Sequence, residues 1–179
     1  MITKYKTLIV YFSRSGNTKK VVDQLSDMIC CDAVETVGEL TNRSGVLGYA
    51  RSLWESLTSS APIIEPPQND PSRYDVVIVA SPVWISRLAS PMRTYLLKMQ
   101  DKLPRLAFLV TEGGSGGNRV LLQMRELSRK SPLSEAVITE DEIRKGVHIQ
   151  KIKKFVERLN AEYERAVAPV AIASRKVVS

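Results

Sequence analysis

Three short segments concentrate the residue types that hold a ligand. Ser13-Arg14-Ser15-Gly16-Asn17-Thr18 follows an apolar run and leads into a helical pattern, offering three hydroxyls, an amide and a glycine. A phosphate site at a helix start needs free backbone N–H groups, hydroxyl donors and a residue that lets the chain curl round the anion. The same residues read equally well as a polar turn capped by Ser15 or Asn17. Ser81-Pro82-Val83-Trp84-Ile85 follows a second apolar run, and a Trp placed there can stack on a flat ring system or pack in the core. Thr111-Glu112-Gly113-Gly114-Ser115-Gly116-Gly117 follows a third; its glycines let a ligand approach the backbone, a flexible turn being the plainer alternative. Each segment alone is ambiguous, but three at successive strand ends point together to one site.

Other chemistries find less support. No G-x-x-x-x-G-K-[ST] and no G-x-G-x-x-G occurs in the chain, which disfavours a P-loop and a Rossmann dinucleotide site. A phosphate cradled mainly by neutral donors suits a monoester better than a triphosphate with its metal. His148 is the only histidine and borders a helical stripe, so it reads as structural. One histidine and an adjacent Cys30–Cys31 pair do not make a zinc site. Asp141 and Glu142 suit a helix start or a loop. No Ser-His-Asp constellation can be assembled, and no catalytic acid or base is assigned.

The elements that must carry these segments alternate. Residues 7–12, 75–80 and 106–110 are short apolar, β-branched runs of the kind buried on both faces of a parallel sheet, with weaker candidates at 33–37 and 136–139. Between them lie five stripes of helical period. These are Val21, Val22, Leu25, Met28 and Ile29; Val46, Leu47, Ala50, Leu53, Trp54 and Leu57; Met92, Tyr95, Leu96 and Met99; Val120, Leu121, Met124 and Leu127; and Ile149, Ile152, Val156, Leu159 and Tyr163. Five strands alternating with five helices predict an α/β doubly wound sheet with helices on both faces. The proline-rich stretch 61–73 reads as a connector. The division expected is one domain over 1–165 and a C-terminal tail over 166–179, which docks on the body or helps a homodimer form.

Bulk properties agree with this. The 179 residues suit one domain, and 44% apolar with 25% charged is a globular balance. No apolar run reaches the ~18 residues that span a bilayer, so no integral membrane segment is expected. The N-terminus has no secretory pattern and adjacent cysteines cannot staple distant segments, so a cytoplasmic home is expected. The net charge is +7, and residues 141–179 hold nine basic and five acidic side chains. That favours anionic partners. No basic arm is present and the 6% aromatic residues follow no regular spacing, so no nucleic acid is expected.

Residues 8–18, 80–84 and the glycine loop 111–117 together resemble the flavodoxins and the flavodoxin-like FMN-dependent reductases, short-chain type, over about residues 5–165. The resemblance implies a five-stranded parallel sheet in the order 2-1-3-4-5 with FMN at the switch in strand order, as is general for that family. It also implies that Ser13, Arg14, Ser15, Gly16, Asn17 and Thr18 hold the FMN phosphate. Ser81, Pro82, Val83, Trp84 and Ile85 would flank the flavin ring, and Glu112, Gly113 and Gly114 would form a third flavin loop. The activity implied is electron transfer, from NAD(P)H to a quinone or similar acceptor. The alternatives are an electron carrier serving a redox partner protein, and an interaction module that has lost its cofactor. Carrier flavodoxins are usually acidic, whereas this chain is basic and brings Arg14, Arg87 and Arg119 to the three segments. Positive charge beside a flavin raises its reduction potential, which favours an enzyme over a low-potential carrier; arginines pointing into solvent would remove that argument.

Overall fold

The computed structural model describes residues 5–38 and 62–175, so the stripe expected over 46–57 and the last four residues of the tail lie outside the described residues. Strand β1 (Thr7–Tyr11) is buried along its whole length, as a two-sided apolar run requires. It pairs in parallel with β2 (Ala33–Thr36) on one side and with β3 (Val76–Trp84) on the other. β3 continues the sheet to β5 (Arg105–Glu112), and β5 to the edge strand β6 (Glu135–Thr139). The path β2-β1-β3-β5-β6 is the expected five-strand order.

Alternation along the strands builds two cores. Ile9, Ile78, Ala107 and Leu109 face α1 (Asn17–Ile29) and α5 (His148–Arg175), meeting Val21, Leu25, Phe155 and Leu159. Leu8, Val10, Val77, Val79 and Phe108 face α2 (Ser90–Met99) and α3 (Gly117–Ser128), meeting Met92, Tyr95, Val120 and Met124. Four of the predicted stripes therefore become the buried faces of these four helices.

Two expectations change. Among the described residues the sheet has six strands: β4 (Arg87–Leu88) pairs antiparallel with the end of β3, Val83 opposite Leu88 and Trp84 opposite Arg87. β3 also outruns its apolar stretch, so residues 81–84, expected just beyond the strand, lie in it. Ser81 and Pro82 pair with Val110 and Thr111 of β5, which holds the chain extended past Ala80. The turn joining β3 to β4 is Ile85-Ser86, with φ of 47° and 56°. Two consecutive left-handed residues are the favoured short hairpin geometry, but Ile-Ser lacks the Asn-Gly signature by which such a turn is recognised.

At the other end, α4 (Glu140–Lys145) opens on a capping box in which Thr139 and Glu142 bond each other's backbone N–H, so the acidic run is a helix start. α5 passes through the expected boundary at 165–166 and continues to Arg175 without a break. His148 is buried, with Nδ1 3.2 Å from the Glu142 carbonyl and Nε2 2.5 Å from Gln24 Oε1, tying the start of α5 to α1.

Candidate functional site

β1, β3 and β5 are adjacent and parallel, so the segments at their C-terminal ends meet on one edge of the sheet. At the end of β1 the N-cap of α1 is Gly16, with φ 89° and ψ −14°, which has no side chain of its own to cap the helix. Neither Ser15 nor Asn17 is the cap. The first turn of α1 carries no acid, so the partial positive charge of the helix start is not offset from within the helix. A Cβ placed on Gly16 would meet nothing within 4 Å, so the backbone here faces open space. The Lys19 N–H is taken by Ser13 Oγ at 3.1 Å. Arg14, Ser15 and Gly16 are exposed and Asn17 is half-buried. Thr18 is buried, its hydroxyl 2.8 Å from that of Thr111.

α3 begins in nearly the same way, with Gly116 as N-cap at φ 104° and ψ −11° and no acid in its first turn. Its N-terminus is filled, however: the Gly117 N–H donates to Glu112 Oε2 at 2.6 Å. The chain's own carboxylate thus occupies the position an anion would take at α3, whereas the matching position at α1 is open. Of the two helix starts, only α1 has the geometry of an anion cradle with room left in it.

The second and third segments touch. A Cβ on Gly116 would fall 2.8 Å from Ser86 Cα, so the hairpin tip rests directly on the glycine loop. Ile85 stands exposed at that tip in a left-handed conformation that β-branched residues rarely adopt, the kind of strain that gathers at functional sites. Trp84 is half-buried, edge-on to Phe12 at a centroid distance of 5.2 Å, with the Arg14 guanidinium carbon 5.8 Å from its ring centre. Arg87 lies opposite Trp84 in the hairpin, and Arg119 is exposed in the first turn of α3. Pro82, Val83 and Glu112 are half-buried, and Gly113 and Gly114 are exposed. Ser81 is buried and its hydroxyl donates to the Pro82 carbonyl at 3.0 Å, so that side chain is turned inward.

One residue at this edge escaped the sequence. Glu140, at the end of β6, accepts from Asn17 Nδ2 at 2.9 Å, and its Oε2 lies 3.7 Å from where a Cβ on Gly113 would sit. Nothing local marks it, because its role depends on β6 lying next to β5. Among the described residues no group of three or more His, Cys, Asp or Glu side chains could hold a metal ion, and no helix is long and apolar enough to cross a membrane.

Comparison with known proteins gives the family and the fold. A family model described as flavodoxin matches residues 6–159. No curated protein matches the chain. Among solved structures, a flavoprotein from Lactobacillus acidophilus in complex with FMN is 23% identical, covering 79% of this chain and 97% of its own, with a TM-score of 0.63. The apo-form of the flavoprotein from the same organism is 25% identical over 81% of this chain and 97% of its own, with a TM-score of 0.55. A Fusobacterium nucleatum flavodoxin mutant bound to flavin mononucleotide is 11% identical over 89% of this chain and 98% of its own, with a TM-score of 0.56.

Proposed function

The chain belongs to the flavodoxin family, and from that premise we propose that it binds FMN noncovalently at the C-terminal edge of its sheet and serves in electron transfer. The observation that carries this reading is the contrast between two matched helix starts. Gly16 leaves the N-terminus of α1 open, while Glu112 fills that of α3. The phosphate belongs at the open one. Ser15 offers an exposed hydroxyl there, and Ser13, Asn17 and Thr18 shape the loop.

The bound flavin supplies the redox chemistry; the protein holds it, orients it and sets the charge around it. Trp84 gives the ring a flat neighbour already buttressed by Phe12. The hairpin tip, where Ser86 rests on Gly116 and Ile85 is exposed, offers backbone and an apolar side chain to the flavin. Arg14 and Arg87 adjoin Trp84, and this supports a flavin of raised potential that passes electrons from NAD(P)H to a quinone or similar acceptor. The second reading is an electron carrier that serves a redox partner protein and has no substrate of its own.

The visible spectrum of the purified protein tests the first part. A bound-flavin spectrum, or its appearance on adding FMN to apoprotein, is expected. A chain that is folded by far-ultraviolet dichroism yet takes up no FMN would leave only a cofactor-free interaction module. Turnover of a quinone with NADH or NADPH then separates enzyme from carrier.

A further inference from the structure

We propose that Glu140 is a positioning residue of the phosphate loop, holding Asn17 through a carboxylate delivered from a fourth strand end. This rests on the FMN reading above and adds a residue to that site. Asn17 is the first residue of α1, directly after the open Gly16. The Asn17 amide carries an acceptor, Oδ1, that could turn onto nearby backbone N–H groups, the same groups a phosphate needs. Here Nδ2 donates to Glu140 Oε1 at 2.9 Å across 123 positions of sequence, which fixes the orientation of the amide and so of Oδ1. Ser13 Oγ takes the Lys19 N–H, so the N–H groups left to the ligand are those that precede it.

Glu140 is itself held by its surroundings. It is the first residue of α4, immediately after Thr139, and the Thr139–Glu142 capping box fixes the backbone on both sides of it. The box is tied further by Lys151, whose Nζ bonds Glu142 Oε2 and the Val137 carbonyl, each at 2.9 Å. The other Glu140 oxygen lies 3.7 Å from the Cβ position of Gly113. One carboxylate therefore bonds the first segment and stands beside the third. Its charge works against a bound phosphate. Its contribution is thus the geometry of Asn17, and an uncharged acceptor in its place keeps that geometry.

The test compares Glu140→Ala with Glu140→Gln, titrating FMN and riboflavin into apoprotein by flavin fluorescence. Glu140→Gln should bind FMN at least as tightly as the wild type. Glu140→Ala should lose about three- to tenfold, the worth of one hydrogen bond. Riboflavin, which has no phosphate, should bind all three proteins alike. In the flavin-free protein the side-chain amide resonances of Asn17 should move in Glu140→Ala and stay in Glu140→Gln, with unchanged denaturation midpoints. Equal FMN affinity in the two variants, or a parallel loss for riboflavin, overturns the role. So do Asn17 resonances that ignore Glu140→Ala, a result that does not depend on FMN. Failure of the wild type to take up FMN would overturn the FMN reading itself, and this role with it.

Discussion

The hydroxyls of Thr18 and Thr111 lie 2.8 Å apart, 1% and 3% exposed, joining the first turn of α1 to β5 at the floor of the site. Only one of them can donate to the other. Removing either leaves a buried hydroxyl without its partner, which costs about 1–3 kcal/mol. Thr18→Val and Thr111→Val should each destabilise by that amount in urea denaturation. The double variant should cost less than the sum, since it removes both halves of one interaction.

Ser15 differs from Thr18 in being exposed. Ser15→Ala should leave stability unchanged and weaken FMN by about tenfold or more, because a hydrogen bond to a charged group is worth about 1.5–3 kcal/mol. Riboflavin affinity should not change. An equal loss for both ligands would show that the phosphate sits elsewhere.

Trp84 and Arg14 separate stacking from charge. Trp84→Ala should loosen FMN by about two- to tenfold, since aromatic stacking adds about 0.5–1.5 kcal/mol beyond burial, and should relieve quenching of flavin fluorescence. Arg14→Gln should lower the flavin potential at low salt and do so much less at high salt, as expected of an exposed charge. A potential that ignores the substitution at low salt would remove the argument for an enzyme over a carrier.

Gly16 and Gly116 share a backbone conformation but not an environment. Gly16→Ala at φ 89° meets no neighbour and should cost only the conformational strain, about 1–2 kcal/mol. Gly116→Ala at φ 104° adds a collision with Ser86 Cα and should cost distinctly more, with a disturbed hairpin tip. Chemical denaturation of the two variants checks the order.

Glu142 makes the anchoring of α4 sensitive to acid. Burial pushes its carboxyl up, but the bonds from Lys151 and Thr139 together outweigh it and hold the group below its ordinary value. A pKa lowered by folding gives stability that is complete above the unfolded value and is lost as pH falls through the folded one. Glu142→Gln should therefore be less stable than the wild type at neutral pH, and the gap should close on acidification below the ordinary glutamate range. A gap that stays constant with pH would overturn this.

What the sequence determined by itself was the sheet and the places where it could bind. Apolar runs at 7–12, 75–80 and 106–110 fit strands covered on both faces, and the helical stripes at 21–29, 92–99, 120–127 and 149–163 supply the cover. The three ligand-type segments were legible because each directly follows such a run. Tertiary structure decided which of them is open. Gly16 and Gly116 look alike in sequence, and only the reach of Glu112 onto Gly117 makes one helix start filled and the other free. It also decided that Ser81 turns inward and that residues 81–84 stay in the strand, because β5 and β4 supply their partners. Glu140 meets Asn17 only after β6 has taken its place at the edge of the sheet. Strand and helix patterns are written in near neighbours, over spans of a few residues. Contacts between loop ends depend on strand order, which no local spacing encodes.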